Sequence, residues 1–148
     1  MPLTVRSASA QDWEAISELL DRHRLPLAGA RDHLADFLVV VDEDRVVGVG
    51  GLEMYDEAAL LRSVVVSSPG RGIGTQLVEA LLGRARQAGV GSMVLLTTTA
   101  ASFFPRFGFT VVARDEVPAA VHASAEFQGA CPASATVMRL ILRRQELT

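Results

Sequence analysis

Residue types that could do chemistry sit in three places along the chain. The first is the run Gly70-Arg71-Gly72-Ile73-Gly74-Thr75. It follows an apolar, β-branched stretch from Leu60 to Val66, and Ile73, Leu77, Val78, Leu81, Leu82 and Ala85 then recur at helical spacing. A strand, a glycine turn and a helix start in that order present unpaired backbone N–H groups and the positive end of a helix dipole, beside positions that lack a Cβ. That is a seat for a phosphate or diphosphate.

The second place is Glu53 with Arg62. Glu53 is the only acidic residue within the central apolar strands. A two-residue turn at Asp56-Glu57 would set it opposite Leu60, with Arg62 as its diagonal neighbour on the same face. Two readings follow. Glu53 is a catalytic proton acceptor, acting directly or through water, while Arg62 holds an anionic group of a substrate. Alternatively, the two neutralise each other in a half-buried sheet. An adjacent guanidinium favours the ionised carboxylate and works against a base poised near neutrality. The third place is the hydroxyl run Thr97-Thr98-Thr99 with Ser102 nearby. Such hydroxyls suit hydrogen bonding and helix capping better than acid catalysis.

Familiar nucleotide motifs do not fit the glycine turn. The dinucleotide fingerprint needs a third glycine where Thr75 stands, and an acidic residue about 20 residues on. The ATP-binding P-loop needs a Gly-Lys-Ser/Thr run that the chain lacks. A diphosphate seat made mainly of backbone remains.

The sequence at this point resembles the GNAT acyl-CoA N-acetyltransferases, whose signature is a strand, Q/R-x-x-G-x-G/A and a long helix. Gly72-Ile73-Gly74 matches its second half, while Pro69 stands where Gln or Arg is usual. Phe103-Phe104-Pro105-Arg106-Phe107-Gly108-Phe109 looks like the family's downstream F-Y-x-x-x-G-F segment. The likeness covers nearly the whole chain. Within the family, Gly51-Leu52-Glu53, Leu60-Leu61-Arg62-Ser63, Leu96-Thr97-Thr98-Thr99-Ala100 and Cys131-Pro132-Ala133-Ser134-Ala135 are similar to the N-acetyltransferases of arsenic-resistance operons.

The resemblance implies a single-domain α/β fold over residues 1–148. It is a mixed sheet with helices on both faces, whose fourth and fifth strands splay apart between Ser63–Val66 and Leu95–Thr97. It implies acetyl-CoA as cosubstrate, with the backbone of Val64, Val65 and Val66 pairing with the pantetheine arm. Gly70, Arg71, Gly72, Ile73, Gly74 and Thr75 hold the diphosphate, Arg71 supplying charge in place of the missing Gln or Arg. Arg62, Ser63 and Thr97 are the implied acceptor contacts, and Arg31, Asp32 and His33 fall on a loop that forms one wall of the acceptor site in the family. The usual acid, a tyrosine after the fifth strand, is replaced by Phe104, and the only tyrosine, Tyr55, lies elsewhere in the sequence. The implied activity is acetyl transfer to the amine of a small molecule, in an arsenic- or antibiotic-resistance context. The acceptor there would be an amino-bearing anion such as an amino-acid-like organoarsenical. The rival reading is a non-catalytic acyl-CoA-binding regulatory domain. A third makes the paired phenylalanines and apolar tail a homodimer surface.

Composition bounds these readings. A chain of 148 residues, 49% hydrophobic, is one domain with a sizeable core. A net charge of −3 and the lack of a basic block speak against nucleic acid as a partner. No apolar run spans a bilayer and Met1 to Arg6 lacks a signal-peptide core, so a cytoplasmic, membrane-free protein is expected. One cysteine, Cys131, excludes an intrachain disulfide and suits a reducing compartment. It reads as a packing residue, since soft-metal sites use several thiolates. His23, His33 and His122 show no ligand spacing, so no metal is expected.

The expected elements are a strand at Leu3–Arg6 and a helix capped by Ser9 to Asp12 that ends before Pro26. A loop over Pro26–Asp36, with a short helix within it as the alternative, follows. Strands come at Phe37–Val41, Val46–Tyr55 and Ala58–Val66, then the long helix closed by Gly89. After it come a strand at Ser92–Leu96, a short helix over Ala100–Phe104 ended by Pro105, and a strand at Phe109–Val112. Val117–Ala125 reads as a helix and Ser134–Leu142 as the last strand. Glycines 48, 50 and 51 mark a bulge or a close approach.

Overall fold

The computed structural model describes residues 3–67 and 70–142. Alternating and continuous β-branched runs form seven strands: β1 (Leu3–Ser7), β2 (Phe37–Asp42), β3 (Arg45–Tyr55), β4 (Ala58–Val66), β5 (Ser92–Thr97), β6 (Thr110–Val112) and β7 (Thr136–Ile141). They make one sheet in the order β1-β2-β3-β4-β5-β7-β6. Every pairing is antiparallel except β4 with β5, which is parallel. The parallel pair needs a crossover, and helix α2 (Ile73–Gln87) supplies it. Helix α1 (Trp13–Arg22) covers the opposite face.

The two faces bury separate cores. Ile73, Leu77, Val78, Leu81, Leu82 and Ala85, the helical stripe of the sequence, pack with Leu38, Val40, Leu52 and Leu61. On the other face Ile16, Leu19 and Leu20 of α1 pack with Phe37, Val39, Val49 and Val65. Arg6 grips Asp12 with two hydrogen bonds of 2.8 and 2.9 Å, and the Asp12 carboxylate also accepts the Ser9 N–H at 2.8 Å. This ties β1 to the start of α1. Gly89, at φ 80°, follows the end of α2, where a left-handed residue closes a helix.

Two expectations differ from the fold. Ala100–Phe104 is not a helix. A 3-10 helix spans Phe104–Phe107 instead, with Pro105 in its first turn, where a missing N–H costs nothing, and Gly108 at φ 102° ends it. Val117–Ala125 is not an α-helix. It is a 3-10 turn, Ala119–Ala123, followed by a wider turn, Glu126–Ala130. The buried Ser124 hydroxyl accepts the Glu126 N–H at 3.1 Å and so competes with helical bonding. Phe104 is buried against Phe109, and the half-buried Phe103 packs edge-on against Phe104. Ser68, Pro69 and the charged tail after Leu142 lie outside the described residues.

The glycines of β3 make room for the two faces. A Cβ at Gly51 would lie 2.1 to 2.4 Å from the Phe37 ring, and one at Gly50 would meet Leu81 Cδ1 at 2.8 Å. We expect Gly51→Ala to destabilise the fold by about 3 kcal/mol in urea unfolding and Gly50→Ala by about 1 kcal/mol, since a leucine methyl yields more easily than a buried ring. Equal, negligible losses would mean that β3 can shift away from both neighbours.

Candidate functional site

The site begins where the sheet opens. β4 and β5 pair only at Ala58 with Ser92, Ala59 with Met93 and Leu60 with Val94. Beyond Leu60 the strands part. Over the same stretch β4 bulges against β3: Gly51 pairs with Arg62 and Val49 with Val65, so Ser63 and Val64 face Gly50 alone. Ser63 takes φ 63°, a left-handed conformation costing about 1 kcal/mol for a serine. Val65 and Val66 keep their partners Val49 and Gly48 on β3, while β5 pairs with neither. One backbone edge of β4 is thereby left for another molecule.

A cleft of about 150 Å³ fills the opening. Val64, Thr97, Phe104, Glu126 and Cys131 line it, with Arg24 at its edge. At the far end of β4 stands the glycine turn. Gly70 and Gly72 take φ 94° and 71°, and a Cβ on either would meet nothing within 4 Å among the described residues. The N–H groups of the first turn of α2 have no helical partner. The side chains of Val65 and Ile73 lie in the core, so only their backbone could serve a ligand. Arg71 is directed elsewhere. Its Nη1 lies 3.1 Å from Asp42 Oδ2 in an exposed pair of little energetic weight. Thr97 Oγ1 accepts the Ala100 N–H at 2.9 Å, so this threonine caps the turn while also lining the cleft.

Glu53 and Arg62 meet as the strand register requires. Glu53 is paired with Leu60, and Arg62 Nη1 donates to Glu53 Oε2 at 2.7 Å. Both side chains are buried, at 1% and 0% exposure. Arg62 also donates from Nε to Ser63 Oγ at 3.0 Å, and to the carbonyls of Ala28 and Pro26 at 2.8 Å each. Four of its five N–H donors are therefore engaged, all by protein. The guanidinium is a clamp between β3, β4 and the loop after α1, and it also lines the cleft.

Glu53 is likewise enclosed. The Tyr55 hydroxyl donates to its Oε1, and His33 Nε2 lies 3.6 Å from the same oxygen. Burial works to raise its pKa. The hydrogen bonds from Tyr55, Arg62 and Ser124 and the charge of Arg62 outweigh burial and hold the carboxyl below its usual range. Its partners thus hold the carboxylate ionised, and it does not line the cleft. Of the acceptor-wall candidates, His33 reaches this network. Arg31 stacks on Trp13 at 5.5 Å, away from it.

Sequence reasoning missed Glu126. Its carboxylate is buried, lines the cleft and lies 3.4 Å from Arg62 Nε. Burial, opposed by Arg62 and aided by Glu53, pushes it up to about 7. Cys131, which hydrogen-bonds Glu126, is pushed up to about 12, mainly by burial and then by the Glu126 charge, so its thiol stays protonated. Cys131 lines the cleft rather than merely packing. No local pattern marks it, since the surrounding stretch also holds His122, Ser124 and Gln128. Among the described residues no group of His, Cys, Asp and Glu is arranged to hold a metal ion, and no helix is long and apolar enough to cross a membrane.

A carboxyl raised on folding binds its proton more tightly in the native state. Its contribution therefore declines as pH rises from the unfolded value, 4.5, to about 7. Relative to Glu126→Gln, the wild-type protein should lose on the order of 3 kcal/mol of unfolding free energy across that window. Paired urea titrations from pH 4 to 8 measure it, and a constant gap would mean that Glu126 titrates as an ordinary glutamate.

Residues 33–111 match the Acetyltransferase (GNAT) domain family. No curated protein matches the sequence. Among solved structures, N-acetylglutamate synthase from Neisseria gonorrhoeae, complexed with coenzyme A and N-acetyl-glutamate, superposes with a TM-score of 0.83 at 19% identity. The match covers 97% of this chain but only 36% of that one. Rv2747 from Mycobacterium tuberculosis, in complex with CoA, gives 0.78 at 26% identity over 95% of this chain and 99% of that one. A GNAT-family acetyltransferase from Staphylococcus aureus Mu50 gives 0.78 at 14% identity, covering 96% and 100%. The matched span takes in β2 to β5, the glycine turn and α2, the parts that open the cleft, and it is more than half of the chain. The chain belongs to the GNAT acetyltransferase domain family, a family of acyltransferase enzymes.

Proposed function

We propose that this protein is an acetyl-CoA-dependent N-acetyltransferase that moves an acetyl group directly onto the amine of a small molecule. The observation that carries the reading is the opening of β4 from β5 after Leu60, continuous with a glycine turn where a Cβ at Gly70 or Gly72 would meet none of the described residues within 4 Å. In this reading the pantetheine arm pairs with the backbone of Val64, Val65 and Val66. The diphosphate sits over Gly70, Gly72, Gly74 and Thr75 at the start of α2, held by N–H groups and the helix dipole. Arg71 leaves its exposed partner Asp42 to add charge. The thioester then lies in the cleft beside Ser63 and Thr97. Two structural neighbours, the N. gonorrhoeae and M. tuberculosis proteins, are complexed with coenzyme A, which supports acetyl-CoA as the cosubstrate.

The acceptor reading follows from the cleft. Arg62 is engaged by protein, so an anionic end of the acceptor would meet Arg24. That side chain is exposed at the cleft's edge and is absent from the ion pairs and side-chain hydrogen bonds of the described residues. The narrower role, N-acetylation of an amino-bearing anion such as an organoarsenical in arsenic or antibiotic resistance, rests on the sequence likeness at Leu60 to Ser63, Leu96 to Ala100 and Cys131 to Ala135. An inorganic arsenic oxyanion has no amine and is not an acceptor. The setting is cytoplasmic, where acetyl-CoA is made and a lone thiol stays reduced.

Isothermal titration with acetyl-CoA, followed by a thiol-release screen over amino acids, polyamines and amino-phosphonate or amino-arsonate analogues, tests the reading. Binding with turnover of one amine class is expected. Absence of binding would overturn the assignment of the turn, and binding without turnover would favour a regulatory acyl-CoA-binding domain. Gly74→Asp sharpens the test. Its Cβ would meet only Phe103 Cζ, at an ordinary 3.5 Å, and a carboxylate in the first turn suits the helix dipole. We expect unchanged or slightly raised thermal stability and an acetyl-CoA affinity at least about tenfold weaker, because the new charge faces the diphosphate.

A further inference from the structure

The cleft carries a charge imbalance. Two buried carboxylates flank one buried guanidinium: Glu53 at 2.7 Å from Arg62 Nη1 and Glu126 at 3.4 Å from Arg62 Nε. Glu53 has the shorter contact and a second donor in Tyr55. The nearer Nε–H of Arg62 is already given to Ser63 Oγ. Arg62 can neutralise one carboxylate, and its geometry chooses Glu53. The other groups facing Glu126 do not make up the difference. Cys131 is a neutral thiol. Arg114 donates to the Pro132 carbonyl at 3.0 Å and its field reaches Cys131. His33 addresses Glu53. Arg24 stands exposed at the cleft's edge. A buried carboxylate without a full partner is costly, and it either holds a proton or waits for a cation. Glu126 is also the only acidic residue lining the cleft among the described residues.

We propose that the missing cation is the acceptor's own ammonium group, which docks on the Glu126 carboxylate and gives it a proton to begin aminolysis. The proposal rests on the acyl-transfer reading above and names its acceptor class: small amines that are protonated in neutral water. The step balances as follows. One proton of R–NH3⁺ passes to Glu126, and the freed nitrogen lone pair forms the C–N bond at the thioester carbonyl. The C–S bond then breaks, and its electron pair leaves on the CoA sulfur. A second proton, lost by the new amide nitrogen, ends on that sulfur as CoA–SH, and Glu126 returns its proton to solvent. A carboxyl held near neutrality suits this work: about half of it is ionised at pH 7 and more above, and it is basic enough to take the proton. Glu53 is then a positioning residue that holds Arg62 where it leaves the Glu126 charge without a full counter-charge.

The test compares wild type, Glu126→Gln and Glu126→Asp by acetyl-CoA calorimetry, melting temperature and thiol-release rates from pH 5.5 to 9.5. The acceptors are the aliphatic amines that the screen identifies and arylamines already neutral at pH 7. Expected for Glu126→Gln are acetyl-CoA affinity within twofold of wild type and kcat for aliphatic amines lower by about a hundredfold or more. The rate limb that rises through about pH 7 should vanish, and the arylamine defect should be much smaller. Glu126→Asp should keep a limb at a shifted midpoint, which a purely structural loss would not produce. A Glu126→Gln enzyme with kcat within threefold of wild type and the same limb, or equal defects for both amine types, overturns the proposal while the acyl-transfer reading stands. Failure of wild type to bind acetyl-CoA, or to turn over any amine, overturns both.

Discussion

One buried guanidinium holds this site together. Arg62 joins four separate segments: Glu53 on β3, Ser63 on its own strand, the Pro26 and Ala28 carbonyls after α1, and Glu126 on the turn before β7. A charge with no exposed surface is tolerable only when nearly every donor is met, and four of its five are. Those same bonds fix the loop after α1 over the cleft and place Arg24 at its edge. Removing the charge would release every one of these segments at once, so the shape of the cleft depends on one buried cluster.

The second constraint is the bulge beside it. Ser63 and Val64 oppose Gly50 alone, and Ser63 takes a left-handed conformation that a serine adopts at some cost. Parallel pairing with β5 ends three residues before Ser63, at Leu60. A regular β4 would continue to pair and close the cleft. The strain is sustained because Ser63 Oγ accepts from Arg62, so the clamp and the opening support each other. On the neighbouring strand, Gly50 and Gly51 let Leu81 and Phe37 approach from opposite faces, which keeps the sheet thin where it splits.

Much of this was legible in the sequence because it follows from short-range rules. The glycine turn, the stripe on α2, the meander through β2, β3 and β4, and the Glu53–Arg62 diagonal all come from period and turn length. The diagonal held although the bulge lies nearby, because the register slips only beyond Arg62. What resisted were features set by tertiary competition. Val117 to Ala125 has helical composition, yet Ser124 turns its hydroxyl on the backbone and the chain widens at Gly129. Glu126 was silent for the same reason: no local pattern says that a residue after an irregular turn will face a guanidinium 64 positions earlier. Arg62 was placed correctly, but nothing local reveals that the Pro26 and Ala28 carbonyls would occupy it.

The chemistry of the site is lopsided in a way that matches aminolysis of a thioester. An aliphatic ammonium holds its proton firmly at neutral pH, whereas a thiolate leaves readily. Help is therefore needed to take a proton at the start, and little is needed to give one at the end. The cleft has a carboxylate near neutrality and a phenylalanine, Phe104, in its lining. Neither remaining weak acid of the neighbourhood is a ready donor. Tyr55 is pushed up to about 12, by burial first and by its bond to Glu53, and the Cys131 thiol is pushed as high. Both are fixed as hydrogen-bond donors to carboxylates. The phenylalanine then costs the reaction little: where the leaving group departs as a stable anion, an apolar wall that excludes water from the thioester serves better than an acid that transfer does not require.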